Sequence, residues 1–374
     1  MVITVLVATA ILALIHLYYF DGKNGKADYV YLFVLFVVMG LNSQNADYIP
    51  YEEIYNNISG NDNLFMAFKN HPDKGWVLIN WLSASIGLEF AEFHFLCYVV
   101  LLSTVFYIAK RLGAPICIFF LTYLAYPMFM DTIQLRNFAI SVLFLVSIYC
   151  YAHKTVKWYA VGIATLLFAV SIQPMALVFL PFIVFYWVYQ SRRFGKLTYI
   201  FLVLGLSFPI IKELIHVYWT EIVTILHTLA SMASRGSEYI GNEILDSRLL
   251  KIYIVVIVFA YILYHVKNYV LSLDNVSELQ KEFSRLSFVV YLYLICWMPM
   301  FTLSLEFANR LPRDGFISAY IIIGIYVHQI QIKKKKFGIV LLTIFIAYFF
   351  GLVDLYIASL RHNVDIILNN NFLL

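Results

Sequence analysis

Two charges stand where an apolar chain has no need of them, in Met130-Asp-Thr-Ile-Gln-Leu-Arg-Asn-Phe-Ala139. Asp131 and Arg136 mark the junction of two hydrophobic runs. If the chain is helical from Thr132, Gln134 falls in the first turn and Arg136 about one turn in. An ionised side chain so near hydrocarbon is a functional candidate by default. An arginine there calls for an anion, either a protein carboxylate or a ligand phosphate. The same residues also fit an Asp N-cap followed by an Arg that snorkels to headgroups.

Further constellations invite the same question. Glu306-Phe-Ala-Asn-Arg310-Leu-Pro-Arg313-Asp314 reads as a tight turn between two spans. Its two guanidiniums, three residues apart, could converge on a diphosphate, or its four charges could neutralise one another. Asn45-Ala-Asp47-Tyr48-Ile-Pro-Tyr51-Glu-Glu-Ile-Tyr55 places Tyr51 and Tyr55 on one face if the stretch is helical. Aromatic rings beside a carboxylate suit a sugar, and they also suit an interfacial anchor. In Ser171-Ile-Gln173-Pro174-Met, the proline marks a break, and Gln173 either meets a substrate or caps the turn. Ser234-Arg235-Gly-Ser-Glu238-Tyr239 opens a polar stretch that either covers a lateral site or merely connects.

The elements that must position these residues are membrane helices. The 374 residues are 62% hydrophobic and 13% charged, against about 25% charged in a soluble domain. The mean hydropathy is +0.81. Cys97, Cys117, Cys150 and Cys296 lie in apolar runs without paired spacing, which excludes a zinc motif and argues against a disulfide framework. The run from Val2 to Phe20 lacks a basic n-region and a small-residue cleavage site, and reads as a retained span. Apolar length predicts about twelve spans, near 2–20, 29–43, 90–109, 114–130, 134–151, 158–173, 174–190, 198–218, 249–265, 286–303, 315–332 and 337–357. The apolar segment Trp76 to Leu88 is too short to cross and is expected in the interface or as a re-entrant piece.

Alternation of these spans puts sixteen Lys and Arg residues on one side, from Lys23 and Lys26 to the run Lys333–Lys336. That side is expected to be the cytoplasm, with the lysine run anchoring the chain against anionic lipid. The longer segments 44–75, 219–248, 304–314 and 358–374 then face outward. Ten basic residues, Arg136, Arg235, Arg310 and Arg313 among them, face outward too, against the usual bias. No repeat or soluble domain is visible, so 1–374 is expected to be a single all-α membrane domain with its substrate groove on the extracytoplasmic side. No G-x-x-x-x-G-K-[ST] loop supports ATP-driven work.

The order of four of these motifs resembles the EpsG family of bacterial polysaccharide polymerases, which includes many Wzy-type O-antigen and capsule polymerases. An apolar hairpin is followed by Asp47-Tyr48-x-x-Tyr51-x-x-x-Tyr55; then come Gly75-Trp76, Asp131-x-x-Gln134-x-Arg136-x-x-Ala139, and Ile172-Gln173-Pro-Met-Ala176-Leu. Together they span about residues 30–190. Two positions depart from the pattern. The family usually carries His where this chain has Gln173, and Glu-Pro where it has Asp73-Lys74.

The resemblance implies a glycosyltransferase of the inner membrane. It would move a growing glycan from undecaprenyl diphosphate to the next lipid-linked repeat unit. Such a leaving group needs cations for its developing charge, a role open to Arg136, Arg235, Arg310 and Arg313. A carboxylate would take the acceptor's proton: Asp47 or Asp131, with Glu306 ranked behind them. Tyr48 and Tyr51 would line the sugar path, and Gln134 and Gln173 would touch substrate. The scheme calls for no cofactor, no metal and no nucleic acid. Its partners would be the undecaprenyl-linked glycans, the bilayer, a chain-length regulator and a flippase. A lipid-linked oligosaccharide flippase and an O-antigen ligase are the competing readings. The sequence argues against the first because it shows no repeat and no mid-span Lys or Arg.

Overall fold

The computed structural model describes residues 2–20, 22, 25–43, 45–60, 64–190, 247–296, 305–357, 364 and 367–368. Among them the chain is helical, without a β-strand. Five helices are long and apolar enough to cross a membrane by length and composition: Val2–Phe20, Phe90–Arg111, Leu135–Ala152, Val255–Ser272 and Lys333–Leu352. They coincide with five of the expected spans. Ala27–Gly40, Ile116–Ala125, Val156–Ile172 and Pro174–Trp187 are shorter apolar helices. The expected span 198–218 lies outside the described residues.

In chain order the helices are α1 (Val2–Phe20), α2 (Ala27–Leu35, running into a π-helical turn, Phe36–Gly40), α3 (Tyr48–Ser59), α4 (Leu64–Asn70) and α5 (Lys74–Ser85). Next are α6 (Phe90–Arg111), α7 (Ile116–Ala125), α8 (Met128–Ile133), α9 (Leu135–Ala152) and α10 (Val156–Ile172). A 3-10 turn (Pro174–Phe179) leads into α11 (Phe182–Gln190). The last four are α12 (Ser247–Ser272), α13 (Glu278–Cys296), α14 (Leu305–Gln329) and α15 (Lys333–Ile357).

Helix α9 is the centre of the bundle. It packs on α10, α13, α6 and α14, and its polar Asn137, Ser141 and Ser147 are buried with its Leu, Ile and Phe side chains. A helix buried on nearly all sides must satisfy such groups internally. Ser147 donates to the Gly162 carbonyl at 3.0 Å, which fastens α9 to α10.

Proline sets the breaks. Tyr126, before Pro127, is extended at φ −175, ψ 139, and Gln173, before Pro174, is extended at φ −150, ψ 117. Both follow from the clash that keeps a residue preceding proline out of the helical region. The expected span 114–130 is therefore two pieces, α7 and α8, and the Tyr126 carbonyl accepts from the Tyr320 hydroxyl at 2.8 Å.

One expectation fails outright. Residues 305–314 are not a turn, because residues 305–329 form one helix, α14, with Pro312 inside it. Their charges had suggested a wet loop. Arg313 and Asp314 are instead buried, 1% and 3% exposed, because side chains of α8 and α9 complement them.

Candidate active site

The motifs that are scattered along the sequence meet at one end of the bundle. Helix α3 turns Tyr48, Tyr51, Tyr55 and Ile58 inward, one face at helical spacing. The Tyr51 ring lies 5.9 Å from Trp76 of α5, and the Arg136 guanidinium lies over Tyr51, 5.5 Å from the ring centroid, within cation–π range. Arg136, in the first turn of α9, also donates to the carboxylate of Asp73 just before α5. That contact joins residues 63 apart. Helix α5 in turn touches the last turn of α10. A Cβ at Gly75 would overlap Ser171 Oγ and stand 2.8 Å from the Ser171 backbone carbon, so only glycine lets the two helices approach this closely.

A second node lies on the other side of the α8–α9 junction. Arg313 Nη2 donates to Gln134 Oε1 at 2.5 Å, and Arg313 Nε is 3.7 Å from Asp131 Oδ1. Asp131 also accepts from the Tyr123 hydroxyl at 2.9 Å. One residue along α14, Asp314 Oδ1 accepts from Ser141 at 2.5 Å and from Asn137 at 3.3 Å. Asn137 and Ser141 are one turn apart on α9, so a single helix face holds the carboxylate. Full burial of Arg313 and Asp314 is sustained by this matching of charge and hydrogen bonds.

The sequence model of the EpsG family matches residues 28–366, nearly the whole chain. The chain belongs to the EpsG family. The match reaches far past the 30–190 stretch that carries the resemblance in the motifs. EpsG-type proteins are Wzy-like polymerases, which fits a membrane glycosyltransferase-like polymerase in exopolysaccharide or O-antigen synthesis. No curated protein and no solved structure matches the chain.

Within this EpsG chain the expected site residues separate by environment. Arg136, Tyr51, Gln134, Asp131 and Arg313 fall in the two nodes. Asp47 is half-buried at the start of α3, where the Tyr51 hydroxyl donates to Oδ2 at 3.4 Å. Tyr48 turns away into an aromatic cluster, edge-on to Phe90 at 4.9 Å and to His94 at 5.1 Å. Burial, helped by the charge of Glu52, pushes its phenol up to about 12. Gln173 ends α10 half-buried. Its side-chain oxygen is buried without a hydrogen-bond partner among the described residues. Arg235 lies outside the described residues, as do the side chains of Glu306 and Arg310. Among the described residues no group of three or more His, Cys, Asp or Glu could hold a metal ion.

Asp73 and Tyr123 are not among the expected site residues, and Asp314 is expected only as one of four charges neutralising one another in the 306–314 segment. For Asp73 a signal was present. It stands where EpsG chains favour the Glu of Glu-Pro, so the departure from that pattern keeps the carboxylate. Tyr123 carries no such mark, since its partner Asp131 stands on another helix, and the partners of Asp314 on α9 lie likewise beyond the local pattern.

Proposed function

We propose that this EpsG chain extends a surface polysaccharide at the outer face of the inner membrane. The growing glycan moves from undecaprenyl diphosphate to a hydroxyl of the next lipid-linked repeat unit. The bond from the anomeric carbon to the diphosphate oxygen breaks, and the diphosphate leaves with the electron pair. The acceptor oxygen forms the new bond to that carbon and gives its proton to a carboxylate. Arg136 holds the departing diphosphate, a role in which a fixed cation acts most strongly away from bulk water. Asp47 takes the proton. It is the more accessible of the two carboxylates expected in that role, whereas Asp131 is committed to Arg313 and Tyr123. The observation that carries this reading is Arg136 itself, set between the Asp73 carboxylate and the Tyr51 ring. A carboxylate in that position stands in for the anion the substrate would bring.

The test is deletion of the gene in its host, complemented by wild type or Arg136→Ala at equal membrane abundance. The expected result is a glycan ladder that collapses to one repeat unit, restored by wild type alone. An unchanged ladder in a strain with a single polymerase gene refutes the proposal. Loss of all attached glycan transfers the assignment to a flippase or a ligase.

A further inference from the structure

The loop that delivers Asp47 is held from three directions by one buried side chain. Asn45, 2% exposed, accepts on Oδ1 from the backbone amides of Asp47 at 3.1 Å and Tyr48 at 3.0 Å. Its Nδ2 donates to Asn42 Oδ1 at 2.9 Å and to the Thr132 carbonyl at 3.4 Å. Asn42, itself fully buried, donates onward to the carbonyl of Ile367 at 3.2 Å. The Thr132 carbonyl also accepts from the Tyr98 hydroxyl, which reaches the Asp131 carbonyl as well, both at 2.9 Å. One amide therefore ties the start of α3 to the end of α8 and, through Asn42, to the C-terminal segment.

We infer that Asn45 is a positioning residue, which fixes Asp47 relative to the α8–α9 junction that carries Asp131, Gln134 and Arg136. This inference rests on the polymerase reading above. The two ends of the Asn45 amide do separable work. The oxygen receives the amides of Asp47, the N-cap of α3, and of Tyr48, closing a turn that a Ser hydroxyl reproduces more weakly. The NH2 group bridges to Thr132 and Asn42, and a hydroxyl on so short a side chain does not span both. A residue that merely closes the turn before a helix is largely replaceable by Ser; a residue that sets the distance between two parts of an active site is not.

The experiment compares wild type, Asn45→Ser and Asn45→Ala in membranes of the deletion strain. Lipid-linked repeat units extracted from that strain serve as substrate. Protein abundance and melting in detergent are measured alongside the initial rate. Asn45→Ala is expected to lose both melting temperature and rate. Asn45→Ser is expected to recover part of the melting temperature lost in Asn45→Ala, because the turn is closed again while Asn42 Oδ1 still lacks its donor. Its kcat is expected to stay down by about tenfold or more, with KM within about twofold, since the placement of the carboxylate is not restored. Recovery of kcat by Ser overturns the inference, and so does a kcat that follows melting temperature across both variants. Failure of the polymerase reading shows separately, as wild-type membranes that do not lengthen the glycan.

Discussion

Arg313 of α14 and Asp131 of α8 lie 3.7 Å apart with both side chains about 1% exposed. Removing one partner strands the other charge in the bundle, at a cost of about 3–5 kcal/mol, whereas replacing both by apolar groups is far milder. Arg313→Met and Asp131→Leu are each expected to lower the melting temperature in detergent sharply. The double variant is expected to lie well above the sum of the two losses. Strict additivity would mean that the pair does not act as a unit.

Gly75 faces Ser171 without room for a methyl group. Gly75→Ala is expected to cost about 1–3 kcal/mol by overpacking, read as a lower melting temperature. Adding Ser171→Gly should restore only part of it, because the Ser171 backbone carbon stays at 2.8 Å. Full recovery would place the conflict in the side chain alone.

Asp73 competes with any anion for Arg136. In Asp73→Asn the guanidinium keeps its charge and loses its internal counter-ion. The inorganic pyrophosphate needed for half-maximal thermal protection is expected to fall about tenfold, equivalent to about 1.4 kcal/mol. Unaltered protection would remove Arg136 as the anion site.

The Tyr48 phenol is pushed up to about 12 from its ordinary 10 by burial and then by Glu52. A group whose folded value is raised favours its protonated form in the fold. Its contribution is therefore complete below about pH 10 and is lost as pH climbs toward 12. Tyr48→Phe should flatten the alkaline fall in stability across that window, measured by melting at stepped pH. An unchanged alkaline limb would assign the loss to other groups.

The sequence made Asp131 and Arg136 conspicuous because charge is rare in apolar runs, and each stands in one of the two nodes of the candidate site. The breaks at Tyr126 and Gln173 have a local cause in the proline that follows each, although the span 114–130 was read as continuous. What local pattern could not supply was partnership over distance. The pairing of Asp73 with Arg136, and of Gln134 with Arg313 across 179 residues, exists only once the helices are packed. For the same reason residues 304–314 read as a solvated turn. By local pattern a charge belongs in water until its counter-charge, on another helix, is known.

The hydrogen bond from Asn42 to the Ile367 carbonyl joins residues 325 apart, almost the length of the chain. Domains form in order of synthesis, but this contact waits for Ile367 to leave the ribosome. A nascent chain can insert every helix described here and still lack the Asn42 tether. The start of the chain's first polar loop is thus tied down by a residue made long after it.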